Sequence, residues 1–388
     1  MNKSLYIVAF SLAFATTGIA QNNEGQDKTV DLGTQTTTEL RKTQAVSTIY
    51  SDELDKNATT SPYNAIYGLL PGLTVMQNTS WGTDKSRLNV RGRGSLNGDT
   101  PLFVVDGFAR PIEYINLSEI ESISVLKDGA ATALWGGRGA NGVVLITTKR
   151  GIYNQKDIKV DYKFGLGLPV NQPEFADAYT YAKARNEALR YDGLQPDMDE
   201  ASFLAGGNSD LYPNVDWQKE ALRNHTTSHQ LDITFRGGGK RLRYFSVLNY
   251  KNDMGLLNSK YTDYTDRYNS QMKKYFLNLR MNLDVDITDA TKLKLNMLGM
   301  LRETKRPTTS EATLFEQIFN TPSAAFPVQT QNGLWGSNNV LKTNPIANLA
   351  DVGYYKLNQR MLQADLRLVQ DLSVLTRGLS AELAIAYD

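Results

Sequence analysis

Residues 101–151 read PLFVVDGFARPIEYINLSEIESISVLKDGAATALWGGRGANGVVLITTKRG. Leu102 to Val105 is a short, fully apolar strand, closed by the turn pair Asp106-Gly107. Ile123 to Leu126 reads as a second strand. Asp128 is placed to cap a small helix from Gly129 to Trp135, which Gly136-Gly137 ends. Val143 to Thr148 is a β-branched strand. The same alternation of short elements extends upstream. Ser61-Pro62 puts a cap and a proline at a helix start, and Pro71-Gly72 stops that helix after about Leu70. Leu73 to Gln77 and Arg87 to Arg91 are short strands. Residues 39–151 thus read as one α/β domain.

Beyond Gly151 the pattern changes to alternation of polar and apolar residues. It runs through Lys159 to Leu168, His229 to Arg236, Arg241 to Asn252, Tyr275 to Ile287, Lys292 to Arg302, Gln359 to Leu372 and Leu379 to Tyr387. Most of these runs have the roughly ten residues that a tilted transmembrane strand needs. Gly237 to Gly239 and Thr288-Asp289 look like tight hairpin turns. Other connections are long, and one of them holds an amphipathic helix over Phe175 to Tyr191. Short turns and long loops are what the two ends of an outer-membrane barrel show. The 20 Tyr and 13 Phe suit aromatic girdles.

The start of the chain fixes the compartment. Met1-Asn2-Lys3 is a short positive region, Leu5 to Ala15 is an apolar run, and Gly18-Ile19-Ala20 supplies small residues before Gln21. That is a secretory signal over residues 1–20, with cleavage expected after Ala20. The run is shorter than a spanning helix requires. No Cys follows the site, so a lipid-anchored N-terminus is not expected. Residues 21–38 are polar and read as a mobile tail. Within it Lys28-Thr29-Val30-Asp31-Leu32-Gly33 stands out. As an extended strand it can add to a partner's sheet edge with Val30 and Leu32 on one face, although the residues by themselves favour a plain linker there.

Several functional classes are disfavoured. The chain has no Cys, two His and a net charge of +1. Disulfides and thiolate metal sites are out, and no global field points to nucleic acid. Gly137-Arg138-Gly139-Ala140-Asn141-Gly142 matches G-x-G-x-x-G, with Asp161 about 20 residues on. A dinucleotide site needs a strand before the glycines and a helix after them. Here the helix precedes and the strand follows, so the glycines are a tight helix-to-strand turn. His225 and His229, on a strand, lie ~13 Å apart and cannot share a metal. Arg91-Gly92-Arg93-Gly94 is too short for a nucleic-acid patch. No catalytic constellation stands out, so an enzyme is not expected, and no cofactor either.

The 101–151 segment resembles the plug signature of the SusC/RagA family of TonB-linked outer-membrane transporters. The matching pieces are Pro101 to Gly107, including Asp106 and Gly107; Ile120-Glu121-Ser122-Ile123; Val125-Leu126-Lys127-Asp128; and Arg138-Gly139-Ala140-Asn141-Gly142-Val143-Val144. Ala65 to Val75, Leu88 to Gly92, Val215 to Gln218 and Asp253 to Leu257 also resemble family elements. The resemblance implies an α/β plug domain (39–151), then the first strands of a transmembrane β-barrel of about 22 strands. It implies a TonB box, for which Lys28 to Gly33 lies in place, although it departs from the valine-rich family form. It implies TonB with its ExbB/ExbD energy complex and a SusD-like surface lipoprotein as partners, and oligosaccharides or peptides as imported substrates. A siderophore or corrinoid receptor without a lid is the neighbouring alternative, and a soluble secreted binding module is the alternative from another class. Seven strands over residues 152–388 cannot enclose a plug, because an open edge in lipid leaves backbone groups unpaired. The sequence therefore reads as an N-terminal fragment with an incomplete barrel.

Overall fold

The computed structural model describes residues 10–13, 29–33, 36–38, 41–56, 59, 61–77, 86–94, 98–170 and 172–388. Its short strands come first: β1 (Phe10–Ala13), β2 (Thr29–Asp31), β3 (Thr36–Thr38), β4 (Val46–Tyr50), β5 (Leu73–Met76), β6 (Arg87–Val90), β7 (Leu102–Val105), β8 (Phe108–Ala109), β9 (Ile120–Leu126) and β10 (Val143–Thr148). The alternating runs then form β11 (Lys156–Gly167), β12 (Thr226–Gly238), β13 (Leu242–Met254), β14 (Lys273–Asp286), β15 (Thr291–Pro307), β16 (Tyr354–Asp371) and β17 (Ser380–Tyr387).

Five short strands build a mixed sheet in the order β4-β9-β10-β7-β8. β10 runs parallel to β7 and antiparallel to β9. Both faces of this sheet are covered, which is why its strands read as continuous apolar runs. One face packs Ile49, Ile123, Val144 and Ile146 against Tyr63, Ile66 and Leu88. The other carries Val104, Leu126, Val143 and Leu145.

Three local expectations need correction. The helix from Ser61 covers only Pro62–Ala65, because Gly68 turns to positive φ (73°) and the chain leaves the helical path. Ile66 and Leu70 are still buried, now from turns. The helix after Asp128 is α-helical over Gly129–Thr132 and continues as a 3-10 stretch, Ala133–Gly139, interrupted at Gly136 (φ 52°, ψ −140°). β9 starts three residues earlier than expected, straight after a capping box between Asn116 and Glu119.

β11 to β17 form an antiparallel meander in which each strand pairs with its sequence neighbours, and β1 lies along the outer edge of β11, from Phe10↔Phe164 to Ala13↔Asp161. The links 239–241, 287–290 and 372–379 are short and lie at one end. The links 168–225, 255–272 and 308–353 are long and lie at the other. The helix in the first long link spans Ala178–Tyr191 and is capped by Asp177, whose Oδ1 accepts from Thr180 N at 2.7 Å. The long links pack on each other through Trp217, Leu257, Leu314, Phe326 and Ile346, an apolar core separate from the mixed sheet.

The two faces of the meander are inverted relative to a soluble sheet. Leu277, Leu279, Leu301, Leu362 and Leu366 are exposed on the outer face, while Asn278, Arg280, Asn282 and Asp365 are buried on the inner one. Apolar outside and polar inside is the pattern of a lipid-facing wall. No helix is long and apolar enough to cross a membrane, which says nothing against a β-barrel.

Candidate functional site

The mixed sheet meets the inner face of the wall through buried polar side chains. One point of contact is the β7–β8 hairpin, where Asp106 (φ 47°) and Gly107 (φ 91°) form a two-residue loop. Positive φ at both positions is what such a tight hairpin demands and what Asp-Gly tolerates. Asp106 Oδ1 accepts from Thr148 N at 3.0 Å, and its Oδ2 accepts from Thr148 Oγ1 at 2.6 Å. Its carbonyl accepts from Arg367 of β16 at 2.9 Å. A Cβ on Gly107 would fall 2.6 Å from that guanidinium, so glycine lets the wall arginine close over the turn. Asn282 of β14 donates to Thr148 Oγ1 at 2.9 Å and to Lys149 O at 2.8 Å.

Three ionic or ion-centred contacts flank this point. Arg110 makes a forked contact with Asp365 of β16 (2.6 and 2.5 Å), and its Nε donates to Asp388 at 2.8 Å. Glu119, fully buried, accepts from Arg280 Nε at 2.5 Å and from Asn278 Nδ2 at 2.5 Å. Burial pushes the Glu119 carboxyl above its usual range, opposed by the charge and hydrogen bond of Arg280. Asp232 of β12 accepts from Asn116 Nδ2 at 2.8 Å, from Gln230 Nε2 at 2.6 Å, and from Asn249 Nδ2. None of these residues stands out in the sequence. The only signal is that Asn278, Arg280, Asn282 and Asp284 recur at every second position, one face of a strand.

The singled-out motif residues fall into two groups. Lys127, Asp128 and Arg138 to Gly142 organise the domain internally. Lys127 Nζ donates to Ser47 Oγ at 2.5 Å and Pro71 O at 3.0 Å, and burial holds its pKa below the usual amine range. Asp128 Oδ1 caps the following helix through Ala131 N at 2.8 Å, and its Oδ2 accepts from Ala45 N at 2.7 Å. The bond from Ala45 is the main reason its carboxyl sits below the usual range. Gly142 has φ 88° and leaves no room for a Cβ beside Val90. Asn141 Nδ2 donates to Gly98 O at 3.2 Å, and Arg138 is exposed. The G-x-G-x-x-G stretch is a helix-to-strand turn. The 91–94 turn is tied inward, since Arg87, Asn89 and Arg93 all converge on buried Asp99. His229 Nδ1 lies 2.7 Å from Tyr162 OH beside Phe164, on the outer face of the wall. Among the described residues no group of three metal-capable side chains comes together.

The second group is the N-terminal strand. Lys28 lies outside the described residues, while Thr29 to Gly33 are folded. β2 pairs with β3, Val30 is fully buried, and Leu32 is nearly so. Both pack with Val46, Val104, Leu126, Ala131, Val143 and Leu145. Asp31 Oδ1 accepts from Gly33 N at 2.8 Å, and its Oδ2 accepts from Thr147 Oγ1 at 3.1 Å. The Trp135 ring covers Gly33 (φ 91°), and a Cβ there would meet it at 2.5 Å. Over these residues the expected mobile tail is a docked hairpin. Burial of two apolar side chains, worth about 1.5–3 kcal/mol each, is the physical reason.

This seat lies on the other face of the mixed sheet from Tyr63, Ile66 and Leu88. The opposite face of the mixed sheet carries Pro62 and Asn116, which share a cavity with Asp253, Lys274 and Arg302 near the long-link ends of β13, β14 and β15.

Comparison with known proteins agrees with this geometry. The family model TonB-dependent Receptor Plug Domain matches residues 38–143. TonB-dependent receptor SusC of Bacteroides thetaiotaomicron is 30% identical over 255 residues, covering 62% of this chain and 24% of SusC. TonB-dependent receptor P26 of Formosa agariphila is 27% identical over 281 residues, covering 70% of this chain and 26% of P26. The chain thus spans about a quarter of the length of these curated relatives. In fold it is similar to the RagAB peptide importer in its closed-closed state, with a TM-score of 0.68 at 20% identity, over 87% of this chain and 40% of that one. The resemblance to the SusC/RagA family of TonB-dependent receptors is thus borne out: residues 38–143 match the plug-domain model, SusC is a relative, and the fold is similar to that of the RagAB importer.

Proposed function

We propose that this chain supplies the plug and part of the wall of an outer-membrane importer, energised by TonB through Lys28 to Gly33. The observation that carries the reading is the docked strand. An extended segment with two apolar residues on one side lies on the plug face opposite the one that borders the cavity at the long-link ends, and we read that face as the periplasmic one. TonB, with its ExbB/ExbD complex, would take this segment as an added strand and pull on it. Through the Asp31–Thr147 bond the pull reaches the end of β10, where the next residue, Thr148, is held to the wall by Asn282. No covalent chemistry or cofactor is involved.

Oligosaccharides or peptides are the proposed cargo, and a SusD-like surface lipoprotein over the long links is the proposed partner. SusC as a relative and the peptide importer RagAB as a fold neighbour support this reading. The Glu119–Arg280 and Arg110–Asp365 contacts between plug and wall weigh against a free-standing secreted module. The test is deletion of residues 28–33 in the receptor. Uptake should be lost while the protein still reaches the outer membrane, and unchanged uptake would remove the coupling role. Copurification of a surface lipoprotein supports the lidded importer, whereas growth that depends on the receptor only under iron limitation supports a siderophore receptor.

A further inference from the structure

Three lysines stand in one row on the outer face of the wall. Lys273 of β14 is the register partner of Lys305 of β15, and Lys305 is the partner of Lys356 of β16. They share the outward parity of Leu277, Leu279 and Leu301, whose side chains are exposed. The lowest lysine-free rows lie toward the short turns, so the lysines occupy the long-link rim. From Lys273 to Leu277 is four residues, or roughly 13 Å along the strand.

Directly opposed side chains in a sheet are ~5 Å apart at Cβ, and like charges there repel. Two carboxylates moderate the row: Glu303 meets Lys356 at 2.9 Å, and Asp263 of the 255–272 link adds attraction at Lys305. Among the described residues, neither Lys273 nor Lys305 has a carboxylate at ion-pair distance. Lys305 Nζ lies instead 5.1 Å from the ring of Tyr354, which faces outward one step above it. Arg360 adds a further outward cation in the row of Leu277 and Leu301. A repelling cationic row just above an apolar band, with an aromatic side chain at its edge, is matched by an anion presented at headgroup level.

We propose that Lys273, Lys305 and Lys356 bind the phosphate-bearing headgroup of an anionic lipid in the leaflet at the long-link end. The inference rests on the outer-membrane reading but not on transport, substrate or TonB. Lipid phosphate spans neighbouring strands where the sheet's own side chains repel, so the bound lipid fastens the rim of β14 to β16.

The test uses receptor purified from outer membranes in a non-ionic detergent, with bound lipid counted by native mass spectrometry. The probes are diphosphorylated lipid A, the same lipid without phosphate, and inorganic phosphate. The diphosphorylated lipid should bind well above the phosphate-free one, and each Lys→Gln change in the row should weaken it roughly fivefold. Lys156→Gln, at the short-turn end, should leave it unchanged. Lys305→Gln relieves repulsion, so its thermal transition without lipid should be no lower than that of the parent, which separates lost binding from lost folding. Equal binding of the two lipids, unchanged binding after Lys273→Gln/Lys305→Gln/Lys356→Gln, or displacement of the lipid by equimolar phosphate would each overturn the proposal. A receptor that stays soluble and binds no detergent would instead sink the outer-membrane reading.

Discussion

The docked strand at Thr29–Asp31 and the plug–wall junction around Glu119 are both buried, and opposite chemistry holds them. The strand is seated by Val30 and Leu32 among aliphatic side chains, with a hydrogen bond from Thr147 to Asp31 at its edge. The junction is held by Arg280 on Glu119, Arg110 on Asp365 and Asn282 on Thr148. An apolar seat can be peeled away gradually, because each exposed group costs only its own hydration. A buried ion pair resists partial opening, because one partner leaving strands the other's charge. A pull on the strand therefore meets a weak attachment first and a stiff one second.

The largest expected effect comes from breaking the stiff side. Glu119→Gln should cost about 3–5 kcal/mol in unfolding of the receptor in detergent, because Arg280 is left buried without its counter-charge. Replacing both, Glu119→Leu with Arg280→Met, should recover most of that loss. If the single change were harmless, the junction would not be the stiff element. Next is the apolar seat. Leu32→Ala should cost about 2 kcal/mol, the low end for such truncations because Leu32 lies at the edge of its cluster. Hydrogen exchange should quicken over residues 29–38 and stay slow over β10.

Gly33→Ala tests the cover over the strand. Positive φ and the Trp135 ring both oppose a side chain there, so a loss of about 1 kcal/mol is expected, with protease access to the segment as readout. The smallest effect concerns pH. The folded-state pKa of Asp128 is depressed below its unfolded value. Its contribution is therefore present above the unfolded carboxylate value of about 3.9 and is lost as pH falls through the folded one. Asp128→Asn should flatten that acid limb while keeping the helix cap. An unchanged acid limb would show that this carboxylate does not tie β4 to the helix in solution.

Much of the scaffold was legible in order. Leu102 to Val105 and Val143 to Thr148 are strands at the residues where their apolar runs begin and end. The seven alternating runs after Gly151 became β11 to β17, with hairpins near the Gly237–Gly239 and Thr288-Asp289 turns. The helix from Ser61 was overestimated because propensity to Leu70 lost to Gly68. The site was far less legible. Arg110 and Asp365 are 255 residues apart, and Glu119 and Arg280 are 161 apart.

The residues alone determined local matters: which side chains share a strand face, where a tight turn can form, and that Asp106-Gly107 can take positive φ at both positions. These depend on neighbours one to four residues away, which the order of the chain specifies directly. Only the tertiary structure decided which face of the wall meets the plug, that Val30 and Leu32 are seated rather than free, and that three lysines from three strands line up at one rim. Each of those depends on strand register and on packing between distant segments, and a one-residue shift would send every one of those side chains to the opposite face.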